Sequence, residues 1–134
     1  MSGTPRPAHA FVHRARLALA AGTDVGAPGA AVTLALCGHW EHEGPCRWPH
    51  HNEATPDGRE DGARCVELRC VVAADKADEE VVRTLVYRAL RAGGMEGPDG
   101  PIGWRMLDSG PGELTDDELV LAERLARPHG ATGD

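Results

Sequence analysis

The stretch Arg64-Cys-Val-Glu-Leu-Arg-Cys-Val-Val-Ala-Ala74 decides the fold class of this chain. Apolar side chains occupy its alternate positions, which are Val66, Leu68, Cys70 and Val72. A period of two is typical of a strand with one buried face. Asp75 follows directly, and acidic residues after it suit the exposed N–H groups of a first helical turn. The stretch therefore predicts a strand that leads into a helix.

Two helices are predicted in the C-terminal half. The first begins at Asp75 and ends at the Gly93-Gly94 pair, and its apolar stripe consists of Val82, Leu85, Val86, Ala89 and Leu90. The second begins with a capping box of Thr115 and Glu118 and runs to about Arg127. A short strand over residues 102–106 is predicted between the two helices.

The N-terminal half predicts two more strands. Residues 11–19 alternate between apolar and polar side chains, which indicates a first strand. Residues 30–40 are interpreted as a second strand with Val32, Leu34 and Leu36 on one face. Residues 41–63 then form a long loop, and loops of this length are usually functional or disordered.

The predicted element order is β-β-β-α-β-α, which favours an α+β fold. The expected architecture is an antiparallel sheet of about four strands, with two helices packed on one face. The long loop between strands two and three is expected to bind a metal. A split ferredoxin-like arrangement is compatible with these elements, but the strand order does not follow from the sequence. Residues 9–128 form the expected single domain, with flexible ends at residues 1–8 and 129–134.

The composition argues against several classes of protein. The chain has 134 residues and a formal net charge of −7, so one domain is expected and nucleic acid is not an expected partner. No apolar run approaches the roughly 18 residues that a membrane span requires. The apolar stretch near Leu17 is too short for a signal peptide, which predicts a cytoplasmic protein with reduced thiols. Lys76 is the only lysine among many arginines, a bias typical of a GC-rich bacterial genome.

A cluster of cysteine and histidine residues carries the functional signal. One short segment holds six of the eleven Cys and His residues of the chain: Cys37, His39, His42, Cys46, His50 and His51. Imidazole nitrogens and thiolates separated by short gaps are the ligands that zinc prefers. The segment therefore predicts a transition-metal site, with zinc as the expected metal.

The spacing favours one ligand set without fixing it. Four candidates follow one another as His39-x2-His42-x3-Cys46-x3-His50. Cys37 competes for the fourth position, and His51 is adjacent to His50, so we expect only one of that pair to join the same tetrahedron. Cys65 is a further candidate if the strands over residues 30–40 and 64–74 pair.

Three functions are compatible with such a site. In the leading hypothesis the metal orders the loop, and Trp40 and Trp48 present a surface to a partner protein or a small ligand. In the second, an open zinc site activates water in a hydrolase-like enzyme, with Glu41 or Glu43 as the base. In the third, surplus His and Cys residues allow a metal carrier to exchange its ion.

A cysteine nucleophile is the rival chemistry. Cys46 lies beside Arg47 with several histidines nearby, which could lower the pKa of its thiol. No family signature surrounds Cys46, and no HExxH motif accompanies the histidines. The sequence therefore favours a binding protein over an enzyme, and it identifies no catalytic residue.

Overall fold

The structure, a computed structural model, describes residues 9–38, 48–97 and 100–126. Its elements in chain order are β1 (His9–Leu19), α1 (Ala27–Cys37), β2 (His50–Glu60), β3 (Ala63–Ala74), a 3-10 turn (Lys76–Asp78), α2 (Glu79–Arg91), β4 (Gly94–Gly97), β5 (Gly100–Gly112) and α3 (Asp116–Ala126). The chain is α+β, as the sequence predicts, but its element order differs from the predicted one.

The strands form an antiparallel sheet in the order β2-β3-β1-β5-β4. β1 lies at the centre and pairs with β3 on one side and with β5 on the other. β4 is a short partner of β5, with four residues in each strand of the pairing. The remaining elements, β1, α1, β2, β3, α2 and β5, follow the β-α-β-β-α-β connectivity of ferredoxin-like folds.

The two faces of the sheet carry different helices. The main core joins one face of β1 and β3 to α1 and α2, and its fully buried members include Leu17, Leu68, Val72, Val32, Val82 and Val86. On the other face, Val12 and Val71 pack with Ala122 of α3. The prediction that both C-terminal helices pack on one face was therefore wrong. α3 lies opposite α2, because its narrow apolar stripe matches the small apolar patch on that second face.

The predicted second strand is helix α1. The run of Ala, Val and Leu after Pro28 is apolar except for Thr33, and such a run is compatible with either a buried strand or a helix. Pro28 in the first turn and Gly38 after the last turn decide for the helix. Gly38 adopts the left-handed conformation with φ of 84°, and its N–H donates to the carbonyl of Leu34 at 2.8 Å.

Much of the predicted long loop is strand β2. Its residues pair with β3, and the two strands are joined by Asp61 and Gly62, whose φ angles are 50° and 84°. Positive φ at both central residues is typical of a tight hairpin turn, and Asp-Gly is a strong sequence signal for it. The register shifts between Pro56 and Arg59, which suits an edge strand that contains proline. The other predicted elements, β3, α2 and the region of β5, are present with longer or shifted bounds.

The capping box at the start of α3 is confirmed. The N–H of Thr115 donates to Oε1 of Glu118 at 3.0 Å, and the N–H of Glu118 donates to Oγ1 of Thr115 at 3.1 Å. Glu118 also accepts two hydrogen bonds from Arg69 of β3, so the cap fixes the helix to the sheet. The hydrogen bonds from Arg69 lower the pKa of Glu118 below its usual range.

Candidate functional site

Half of the predicted metal ligands lie among the described residues. Cys37 is the last residue of α1, and His50 and His51 are the first two residues of β2. The others, His39, His42 and Cys46, lie outside the described residues, as do Trp40, Glu41 and Glu43. In the part of the chain that is described, no group of three or more His, Cys, Asp and Glu residues is placed to hold a metal ion. The zinc site therefore stays a prediction.

The ring of His50 is oriented by two hydrogen bonds on the face of β2 that α1 covers. Its Nδ1 lies 2.9 Å from the carbonyl oxygen of Trp48, and its Nε2 lies 3.1 Å from Oγ1 of Thr33 in α1. A carbonyl oxygen can only accept, so Nδ1 of the neutral ring carries the proton. Nε2 then presents a lone pair and accepts from the hydroxyl of Thr33.

Asn52, on the same face of β2, holds the helix close to the strand. Its Nδ2 donates to the carbonyl oxygen of Gly29 at 3.0 Å and to Oγ1 of Thr33 at 3.2 Å. A Cβ atom at Gly29 would lie 3.1 Å from Cβ of Asn52, so only a small residue permits this approach. Oδ1 of Asn52 is buried and has no hydrogen-bond partner within the described ranges. These contacts fix Thr33 and, through it, the ring of His50.

Cys37 lies on the same side of α1 as this contact. Thr33 and Cys37 are four residues apart in the helix, which places their Cβ atoms about 6 Å apart on one helix face. Cys37 is half-buried and disulfide-bonded. A disulfide sulfur is not the thiolate that zinc binds, so Cys37 can serve as a ligand only after reduction.

His51 is separated from this group by the geometry of the strand. Successive side chains of a strand point to opposite faces, so His51 points away from α1. Its side chain is exposed, whereas that of His50 is partly buried. His50 thus contacts α1 at Thr33, one helical turn before Cys37, whereas His51 lies on the other face of β2.

Cys65 does not approach Cys37, because the strand that the sequence predicted over residues 30–40 is the helix α1. Cys65 is buried on the face of β3 that α1 does not cover, paired with Ala18. Cys70 lies on the α1 side, fully buried in the main core. Both thiols are free, and burial raises the pKa of Cys70 to about 12.

Trp48 is part of the core rather than an exposed platform. Its side chain is 6% exposed, and its Nε1 donates to Oδ2 of Asp78 at 3.3 Å. The neighbouring residue Pro49 accepts a hydrogen bond from the N–H of Ala73 at 3.0 Å. Trp48 therefore attaches the start of β2 to the sheet and to α2, and its ring is not available to a partner.

A second histidine cluster, which the sequence analysis missed, lies between β1 and α2. Arg83 donates through NH1 to Nδ1 of His13 at 3.0 Å and to the carbonyl oxygen of Val12 at 3.1 Å. It also pairs with Glu79, which accepts from Nε2 of His9 at 2.8 Å. Despite the opposing effect of burial, the hydrogen bonds from Arg83 and His9 lower the pKa of Glu79. In the sequence, the one indication of this cluster is that His9 and His13 are four residues apart, which places both on the same face of a strand.

The protonation of His13 argues against a serine nucleophile in this cluster. Arg83 can only donate, so Nδ1 accepts and Nε2 carries the proton, which it donates to Oγ of Ser109 at 2.8 Å. His13 therefore cannot take the proton of Ser109 as a general base. Burial, reinforced by the charges of Arg83 and Arg14, lowers the pKa of His13 to about 4. The cluster is interpreted as a structural link between β1, α2 and β5.

Comparison with known proteins yields no relative for this chain. It matches no family model, no curated protein and no solved structure. None of the helices within the described ranges is long and apolar enough to cross a membrane.

Proposed function

We propose that this chain is a transition-metal-binding protein in which the segment between α1 and β2 binds zinc. The observation that carries the proposal is the orientation of His50. Its Nδ1–H donates to a backbone carbonyl, and metal-binding histidines commonly donate their second ring nitrogen in this way. That bond leaves Nε2 as the acceptor nitrogen on the α1 side of the strand, where it contacts Thr33, one helical turn before Cys37.

The anchoring of the segment supports the same proposal. Its first end is fixed by the Gly38 cap of α1, and its second end by the buried ring of Trp48. Between these anchors the sequence supplies His39, His42 and Cys46. A short segment fixed at both ends and rich in imidazole and thiol groups can fold around one ion at a small entropic cost.

The proposed role of the metal is to order the segment for binding a partner protein or a small ligand. Trp40 is the aromatic residue of the segment that is proposed to contact this partner, because Trp48 is committed to the core. A cytoplasmic location belongs to the same proposal. Disulfide bonds in that compartment are usually transient or regulatory, which is compatible with a cysteine that must be reduced to bind zinc.

The test is the zinc content of the full chain, purified without a histidine tag under reducing conditions. We expect one zinc ion per chain. His50→Ala should lower the zinc affinity at least about tenfold, the size of effect that even a supporting group can have. His51→Ala is the matched control, because it removes the adjacent imidazole on the other face of β2 and should leave the affinity unchanged.

Two results would contradict the proposal. One is a reduced wild-type chain that binds no zinc at micromolar concentrations. The other is an equal loss of affinity in the His50 and His51 variants, because the proposal assigns the two rings to different faces of the strand. Thermal unfolding of each variant, followed by circular dichroism, checks that any loss does not result from unfolding.

A further inference from the structure

We propose that a recess on the sheet face that carries α3 binds a small monocarboxylate with a short apolar chain. The recess has a volume of about 280 Å³, and its lining includes Ala18, Ala20, Ala63, Gly103 and Arg105. It lies on the face of the sheet that α1 does not cover. The inference therefore goes beyond the proposed function, which concerns the other face.

The floor of the recess is apolar because small side chains from neighbouring strands meet there. Ala18 of β1 is the cross-strand partner of Arg105 in β5 and of Cys65 in β3. Ala63 is two residues before Cys65 in β3, so its side chain shares this face. α3 leaves this part of the face uncovered, because it packs around Val12 towards the other end of β1.

Arg105 supplies the charge of the recess. Its guanidinium has no hydrogen bond or ion pair with a residue of the described ranges. Three other arginines on the same face each bind a carboxylate of the chain at 2.6 to 2.8 Å, namely Arg14 with Asp108, Arg16 with Asp57, and Arg69 with Glu118. Arg105 is thus left to bind an anion from solution.

One guanidinium beside an apolar floor defines the class of ligand. A guanidinium binds a carboxylate through two parallel N–H···O bonds. Methylene groups attached to that carboxylate can cover Ala18 and Ala63, which removes apolar surface from water. A volume of about 280 Å³ is small for a ligand site, so the chain must be short. A second negative charge on the ligand is disfavoured, because the chain has a net charge of −7 and the lining offers one cation.

The experiment is a nitrogen–proton NMR titration of the full chain with sodium hexanoate at constant ionic strength. We expect saturable shifts of the backbone amide signals of Ala18, Ala63, Gly103 and Arg105, with a Kd of about 1 mM for a ligand of this size. Butyrate is two methylenes shorter and should bind more weakly, by up to about fourfold for each methylene. 1-Hexanol has the same chain without the charge and should bind at least about fivefold more weakly.

Two substitutions separate the charge of the recess from its shape. Arg105→Gln removes the guanidinium and should weaken the binding of hexanoate about fivefold. Arg88→Gln is the matched control, because it removes the same charge from an exposed position on α2 and should leave the affinity unchanged. Ala63→Leu fills the recess and should abolish the shifts. Circular dichroism checks that each variant is folded.

Several results would overturn the inference. One is the absence of saturable shifts at hexanoate concentrations well above the expected Kd, and another is shifts that map to residues outside the recess. Equal binding of hexanoate and 1-hexanol would also contradict it, as would an unchanged affinity in Arg105→Gln or in Ala63→Leu. None of these results depends on zinc, so the inference and the proposed function fail separately.

Discussion

His13 and His50 each lie between the sheet and a helix, and their neighbours give them different roles. His13 accepts from the guanidinium of Arg83 and donates to Ser109, so a charged donor fixes its tautomer. Nδ1 of His50 donates to the carbonyl of Trp48, and its Nε2 accepts from the hydroxyl of Thr33. A metal ion could replace the neutral hydroxyl far more easily than the charged group. The partners of each ring therefore decide its role.

The first prediction concerns the loss of the arginine that contacts His13. Arg83→Leu removes the donor to His13, to the carbonyl of Val12 and to Glu79 at once. Several polar groups that are largely buried then lose a partner, so the free energy of unfolding should fall by about 4 kcal/mol. Urea denaturation measures this loss. Arg88→Leu, an exposed arginine of the same helix, is the control and should change the stability by less than about 0.5 kcal/mol.

The second prediction uses the lowered pKa of His13. Above pH 6.5 the ring is neutral in both the folded and the unfolded chain, but between pH 6.5 and about 4 only the unfolded chain takes up the proton. The free energy of unfolding should therefore decrease as the pH falls through this range, by up to about 3 kcal/mol from this group.

Urea denaturation at several pH values isolates this effect when the wild type is compared with His13→Gln. Carboxylates titrate in both proteins, so the difference between their two curves reports on His13. If the difference between the two free energies of unfolding stayed constant between pH 4 and 6.5, the pKa of His13 would be the same in the folded and unfolded chains. That result would contradict the buried contacts assigned to His13.

The third prediction compares the hydroxyl partners of the two rings through stability. Ser109→Ala leaves the buried Nε2–H of His13 without an acceptor and should cost about 2 kcal/mol. Thr33→Val removes a donor from the more accessible ring of His50 and should cost about 1 kcal/mol or less. Thermal and urea unfolding of both variants test the order. A larger loss for Thr33→Val would mean that His50, not His13, is the more structural ring.

The fourth prediction concerns the same Thr33→Val variant and has the smallest expected effect. Zinc binding to Nε2 of His50 must break the hydrogen bond from Thr33, which is worth about 1 kcal/mol. Without that bond the reduced protein should bind zinc about fivefold more tightly. Titration calorimetry checks the value, and Ser109→Ala should bind zinc as the wild type does. Weaker binding in Thr33→Val would show that the hydroxyl supports the site instead of competing with the metal.

The fold could be predicted where pattern and boundary signals agree. The alternation in β3, the stripe of α2 and the Thr115–Glu118 cap are local features, and the structure contains all three. The sequence predicts a strand in place of α1 because Val32, Leu34 and Leu36 occupy alternate positions, whereas Pro28 and Gly38 are the signals that indicate a helix. The sequence predicts a loop in place of β2 because the side chains of this edge strand are mostly polar, although Asp61-Gly62 is typical of a hairpin turn.

From the sequence, the candidate site could be predicted only as a segment that is rich in histidine and cysteine, without its geometry. The cluster of histidines and cysteines identifies a segment, but the separation of His50 from His51 depends on β2 being a strand. The role of Thr33 follows from the helix, which the sequence analysis did not predict. The His13 cluster joins residues up to 96 positions apart in the chain, and no local pattern encodes such contacts.

The most direct test of the account is a long-range nitrogen–proton NMR spectrum of the histidine rings, recorded on the reduced chain before and after one equivalent of zinc. Before zinc, we expect the proton on Nδ1 in His50 and on Nε2 in His13. After zinc, the Nε2 signal of His50 should shift while both nitrogens of His13 stay unchanged. An unchanged His50 ring in a zinc-bound protein, or the proton on its Nε2 at the start, would contradict the central claim.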